Sequence, residues 1–248
     1  RIILLFMKNT AIIIPTRLEA KRLPNKPLVI IKGLPMIVHV MNRAKESGIG
    51  EVLIATPDNE IADTIKENGG EVVLTKKNHL SGSDRIYEAY LKKFKNNVDL
   101  IINLQGDMPN IKPESISKLE KLMRKNKCPI GTLASSLNKD EIYDENVVKV
   151  EVDEDLKEDN FLKAKDFFRI KKGLKNKKIY HHNGIYGYNN EVLRKYVNLK
   201  RTKLELDRNL EQMRFMENNM EIKVGYSDSN PLSVDTLDDL KRVEKEMN

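Results

Sequence analysis

The sequence predicts an α/β fold built on a largely parallel sheet, and three observations predict it. A β-branched run over 11–14 stops at Pro15 and opens into a cationic loop. Short apolar runs then alternate with helix-like segments through about residue 104. After about residue 140, alternating strand patterns take over. Strands interleaved with helices are the pattern of an α/β sheet covered on both faces, and the later change points to a β-rich excursion.

The elements follow in chain order. Residues 1–6, RIILLF, are too short and too weakly charged for a signal peptide or a membrane span. Arg1 is not an initiator residue, so translation is expected to begin at Met7, with 1–6 an extension. The run AIII has the length and residue types of a strand buried on both faces. Beyond it lie Arg17, Lys21, Arg22 and Lys26, where ligands of open α/β sheets bind. An Arg fork and a compact Lys charge suit a pyrophosphate or triphosphate better than a lone carboxylate, although a solvated basic loop remains an alternative.

A helix is predicted over 36–47, with Met36, Val40, Met41 and Ala44 on one face and Gly48 as its stop. His39 within it reads as packing. Strands are predicted at 51–56, 71–75 and 98–104. Asn68-Gly69-Gly70 ends the second helix and Ser81-Gly82-Ser83 opens the third. Further on, VVKVEVDED over 147–155 alternates as a strand, and NFLKAKDFFR and KIYHHNGIYGY are strand candidates. They form the excursion, about 140–190, within a single domain over 7–248. A helix near 204–217, a strand over 221–226 and a last helix capped by Asp235 or Thr236 close the chain.

Composition narrows the function. The 248 residues carry a net charge of +7, with the lysines spread along the chain. There is no zinc-finger spacing, no RNP-like aromatic motif and no tryptophan, which argues against a nucleic-acid partner. The single Cys128 excludes an internal disulfide or a cysteine metal cluster and suits a cytoplasmic protein. No segment reads as a membrane span.

Two carboxylates stand out. Asp107, in LQGDMP, follows the strand over 98–104, and Asp235, in SVDTLDDL, precedes the last helix. Each alone has a structural reading, Asp235 as a helix cap. Together with phosphate oxygens and water, two such carboxylates make an ordinary Mg²⁺ site.

These residues carry a resemblance. PTRLEAKRLPNKP, KGLPMIVHV, HLSGSDR, NLQGDMP, GIYGY, LEQMR and VDTLDDL occur in this order from about residue 10 to the end. The combination resembles the 3-deoxy-manno-octulosonate (Kdo) cytidylyltransferases, or CMP-Kdo synthetases. The resemblance implies a Rossmann-like nucleotidyltransferase fold, a mixed, mostly parallel sheet flanked by helices, whose β-rich insertion serves acceptor binding and dimerisation. It implies a homodimer that couples CTP to Kdo, with release of pyrophosphate, for lipopolysaccharide biosynthesis. By position, Arg17, Arg22 and Lys26 would contact the triphosphate, with Lys26 facing the departing pyrophosphate. Ser81, Gly82, Ser83, Arg85 and Gln105 would hold the nucleotide. Asp107 and Asp235 would bind Mg²⁺, and with Lys26 they form the catalytic set. His182, Tyr186, Glu211 and Gln212 would face the sugar acid.

The chain departs from the family pattern at Met108, where QGDEP is usual, and at Ala20, His181 and Arg208; SRxxIP is not recognisable around 163–170. Most departures fall on the sugar side. Other readings are a cytidylyltransferase for an 8-amino Kdo or nonulosonic acid, or a CTP-binding protein with a decayed acceptor site. A sugar-1-phosphate nucleotidylyltransferase would carry a glycine-rich loop, and this loop has no glycine between Pro15 and Pro27.

Overall fold

The computed structural model describes residues 9–19, 22–174 and 177–247. Residues 1–8, with the expected start at Met7, lie outside these, as do Ala20 and Lys21.

Strand β1 (Thr10–Pro15) lies at the centre of the nucleotide half of the sheet. It pairs in parallel with β4 (Glu51–Thr56) on one side and β6 (Leu100–Asn103) on the other, and β5 (Glu71–Leu74) extends the sheet beyond β4. Ala11 and Ile13 enter one apolar cluster while Ile12 and Ile14 enter another. That period-two division is what a strand covered on both faces requires. Between β1 and β4 lie the short pair β2 (Ile30–Ile31) and β3 (Leu34–Pro35) and helix α1 (Met36–Glu46). Met36, Val40, Met41 and Ala44 are all buried, and Gly48 has φ +66°, the left-handed stop expected of it. Helices α2 (Asn59–Glu67) and α3 (Gly82–Phe94) follow, the first ending at Asn68-Gly69-Gly70 as predicted.

Besides the short β2–β3 pair and a helix over 190–197, two further elements were not anticipated: α4 (Pro113–Asn126) and β7 (Ile130–Ser135). The helix has Pro113 in its first turn and buries Ile116, Leu119, Leu122 and Met123 at helical spacing, so its signal was present.

The excursion supplies β8 (Lys149–Val152), β9 (Phe161–Lys163), β10 (Asp166–Phe168) and β11 (Lys178–Asn189). It is not a separate layer. Strand β11 inserts between β6 and β7, antiparallel to both, so that β6 and β7 share one direction. After α5 (Asn190–Val197), the helix expected over 204–217 is in fact two, α6 (Lys203–Arg208) and α7 (Met213–Glu217). Asn209 at φ +52° breaks it, because the left-handed backbone cannot continue a right-handed helix. Strand β12 (Lys223–Tyr226) runs parallel to β7, and α8 (Leu237–Glu246) closes the fold with Thr236, not Asp235, as its cap. Thr236 Oγ1 accepts from the Asp239 backbone N–H, which leaves the Asp235 carboxylate free for other partners.

Candidate active site

A cleft of about 580 Å³ opens beyond the carboxyl ends of β1 and β6, lined by Thr16, Arg17, Arg22, Lys26, Gln105, Asp107, Asn209 and Asp235. Three local devices shape it. Gly106 brings the β6 loop against β1: a Cβ there would stand 3.2 Å from Ile37 Cδ1 and 3.3 Å from the Pro15 carbonyl oxygen. The Val234 backbone N–H donates to the Asp107 carbonyl at 2.9 Å, clipping together the loops that carry the two aspartates. Leu23, Ile31, Met36, Val234 and Val243 form a small core of their own, which seats the basic loop against the Asp235 segment.

These devices gather the charges. Lys26 Nζ donates to Asp107 Oδ2 at 2.9 Å and to Asp235 Oδ1 at 3.0 Å, and Arg22 pairs with Asp235 Oδ2 at 3.0 Å. Burial opposes the charge on Lys26, but the two aspartates outweigh it and its pKa is raised. The Asp107 and Asp235 oxygens therefore converge on one point from separate loops. Among the described residues no group of three or more His, Cys, Asp or Glu side chains could hold a metal. Two converging carboxylates fit Mg²⁺, which takes one or two of them and completes its octahedron with substrate phosphates and water. Met108, in place of the family's usual acid, is buried in the core and directs nothing into the cleft.

The N-terminus of α3 stands beside this cleft, not in its lining. A Cβ on Gly82 would lie 3.6 Å from Pro15 Cγ. Ser81 caps the helix, accepting from the Asp84 N–H. Arg85 is not the exposed helix residue its position allowed; it is buried, donating to Thr75 Oγ1 at 2.6 Å and to the Lys76 carbonyl at 3.1 Å. Burial and then the nearby Arg17 cation lower its pKa. Gln105 Nε2 donates to Asn103 Oδ1 at 2.9 Å.

Of the four residues matched to the sugar acid, Glu211 meets the nucleotide side directly. Its carboxylate accepts from the Gly82 N–H at 3.3 Å and from Ser83 Oγ at 2.9 Å, and burial raises its pKa. Gln212 is buried next to it. His182 and Tyr186 lie on β11, where the register slips between them, with Gly184 at φ +73°. In an unbroken strand four residues would separate them by about 13 Å. The bulge brings their rings to 5.2 Å. His182 Nε2 lies 2.9 Å from Thr132 Oγ1, and burial brings its pKa down to about 3, so the imidazole is neutral. The Tyr186 hydroxyl is buried without a partner among the described residues.

Two other departures, Arg208 and His181, have structural partners. Arg208 binds Asp166 Oδ1 at 2.5 Å and the Phe167 carbonyl at 2.6 Å. His181 Nδ1 lies 3.0 Å from Glu141 Oε1. Asn209 in the cleft and Asp58, whose Oδ2 accepts from the Leu18 N–H at 2.8 Å and so anchors the basic loop, were missed in the sequence. Asn209 lay inside a supposed continuous helix, and Asp58 reads locally as a helix cap.

The family model for cytidylyltransferases matches residues 11–222. A 3-deoxy-manno-octulosonate cytidylyltransferase of Bartonella tribocorum is 42% identical over 94% of this chain and 96% of its own length. Its counterpart in Thermodesulfovibrio yellowstonii is 40% identical over 96% and 98%. A solved CMP:2-keto-3-deoxy-manno-octonic acid synthetase complexed with CTP superposes with a TM-score of 0.88 at 33% identity, covering 97% of this chain and 98% of that one. With nearly the whole length in agreement in both sequence and fold, this chain belongs to the cytidylyltransferase family, in its 3-deoxy-manno-octulosonate branch.

Proposed function

We propose that the protein transfers the cytidylyl group of CTP to the anomeric hydroxyl of Kdo, giving CMP-Kdo and pyrophosphate for lipopolysaccharide biosynthesis. The observation that carries this reading is the convergence of Lys26, Arg22, Asp107 and Asp235 at the carboxyl ends of β1 and β6. Cations for a triphosphate and carboxylates for a metal share one cleft there.

Arg17, Arg22 and Lys26 hold the triphosphate oxygens, and Lys26 balances the charge growing on the departing pyrophosphate. The segment over 75–85 holds the cytidine through Ser81, Gly82, Ser83 and Arg85, and Gln105 stands beside it. Asp107 and Asp235 hold Mg²⁺, which when bound supplies charge neutralisation at the phosphoryl oxygens and lowers the pKa of a hydroxyl close by. Glu211, Gln212, His182 and Tyr186 orient the sugar acid. The neutral His182 offers it a hydrogen bond, not a charge, and the Tyr186 hydroxyl is supplied with a partner by substrate. The attacking oxygen forms its bond to the α-phosphorus as the bond to the β-phosphate oxygen breaks, so no covalent enzyme intermediate is needed and the protein chiefly positions and neutralises.

The chain acts as a single domain over 7–248 and as a homodimer in the cytoplasm. Exposed Tyr143 and Ile170 in the β-rich excursion support a contact there. Among the described residues no helix is long and apolar enough to cross a membrane.

The test is pyrophosphate release from CTP and Mg²⁺ by purified protein, with Kdo, its 8-amino analogue and a nonulosonic acid supplied separately, and with light scattering on the same sample. Release with Kdo, lost on chelation, from a particle of twice the chain mass is expected. Release with another acid alone, or CTP binding without release, would reject Kdo as the acceptor.

A further inference from the structure

The loop over 75–81 has an anchor that lies outside every residue matched above. Its first residue joins the sheet, the Thr75 N–H donating to the Thr56 carbonyl at 2.9 Å, and its last, Ser81, caps α3. Between them Lys77, Asn78 and Leu80 make no hydrogen bond among those of the described residues, and Leu80 is 80% exposed. What holds the span is Glu88, one turn along α3 from Arg85. Glu88 Oε2 accepts from the Lys76 backbone N–H at 3.0 Å and also contacts His79 Nε2. Its other oxygen pairs with Lys92 Nζ at 2.7 Å. Arg85 takes the Lys76 carbonyl at 3.1 Å, so residue 76 is gripped by its N–H and its C=O from two side chains of one helix.

We propose that Glu88 is a positioning residue for the nucleotide: it fixes the loop over 75–81 in the shape that receives the cytosine ring, without touching the ring itself. The inference rests on the reading that this loop holds cytidine. Its physical basis is that base discrimination needs loop atoms held to within a fraction of an ångström, and a loop tied only at its ends would have to be ordered by the nucleotide at the expense of affinity. Burial alone would raise the Glu88 pKa, but the hydrogen bonds from Lys92, the Lys76 backbone and His79 outweigh it and bring it down to about 2. The anchor is therefore an anion at any physiological pH. Its hydrogen bonds are the stronger, charge-assisted kind.

Two measurements separate the proposal from the reading under it. In the unaltered protein, hydrogen exchange over 75–81 is followed with and without CTP; absence of protection by CTP would overturn the cytidine reading and the proposal with it. Given protection, Glu88→Gln and Glu88→Ala are compared with the parent for KM and kcat with CTP, the ratio of kcat/KM for CTP over UTP, and KM for the sugar acid. A KM for CTP raised about tenfold, the factor matching one hydrogen bond of ordinary strength, is expected in Glu88→Ala. The CTP/UTP ratio should fall as well, with kcat at saturation and KM for the acid held within about twofold of the parent. Glu88→Gln, which keeps one acceptor oxygen, should lie between. A folded Glu88→Ala protein with parental KM and CTP/UTP ratio, even one of lowered thermal stability, would reduce Glu88 to a structural residue and overturn the proposal.

Discussion

Acidification from pH 8 to pH 5 should destabilise the folded protein by about 2 kcal/mol through His182 alone. The side chain is buried against Phe167 and Tyr186, at ring separations of 5.1 and 5.2 Å. Burial, with a smaller push from His181, brings its pKa from 6.5 down to about 3. The native state therefore holds the neutral ring. A depressed histidine contributes stability that is complete above the unfolded value of 6.5 and is lost as pH falls toward 3, because the unfolded chain gains a proton that the folded chain refuses. At pH 5 the unfolded value is 1.5 units away, and at about 1.4 kcal/mol per unit this gives the figure above. The folded value does not enter while it stays below pH 5.

The assay is urea unfolding of the parent and of His182→Gln at both pH values, with each protein compared with itself. Other groups, including His181, contribute to both proteins and cancel in the difference. A parent that loses about 2 kcal/mol more than the variant between pH 8 and pH 5 is expected. Equal losses would show that His182 is not held neutral and would remove the argument that it meets the sugar acid as an uncharged group. The same reasoning expects no inflection from His182 in the pH profile of KM for the acid above pH 5.

Two further outcomes test the site and the sheet. Asp107→Asn keeps the backbone carbonyl that receives the Val234 N–H at 2.9 Å, so the fold should persist while turnover falls by about 10²-fold, as for loss of one preorganised electrostatic contact; a folded variant with normal pyrophosphate release would remove Asp107 from the reaction. Gly50→Ala would place a Cβ 1.9 Å from the Thr10 carbonyl oxygen, an atom of the β1 backbone that cannot turn aside. Destabilisation of at least about 1–3 kcal/mol is expected, and an unmoved urea midpoint would show that the β1–β4 corner is looser than its contacts imply.

The parts legible in the sequence were those set by a few neighbouring residues. The β-branched run of β1, the apolar face of α1, the stops at Gly48 and Gly69 and the cap of α3 all depend on periodicity and local backbone chemistry, and each stands where it was read. The basic loop and the segment of Asp107 were legible for the same reason, being continuous segments beside strand ends that line one cleft. The break at Asn209 was not, although Asn is the residue after glycine that most readily takes a left-handed helix stop, because no local pattern shows that the chain must turn there to bring Glu211 onto α3. Nor was the bulge at Gly184, whose only local sign is a glycine.

Local sequence alone sets the α/β class, the positions of most strands and helices, and which segments bring basic and acidic side chains to the cleft. That Lys26 lies between Asp107 and Asp235, that Arg85 and Glu88 grip one peptide from both sides, and that His182 is neutral all follow from contacts between parts of the chain separated in sequence. The reason is physical. Helix and strand preference is a short-range property of the chain, whereas the energy of a charge depends on distance and burial. Both are set by the sheet order and by the backbone clip between residues 107 and 234, which join parts of the chain that no local pattern relates.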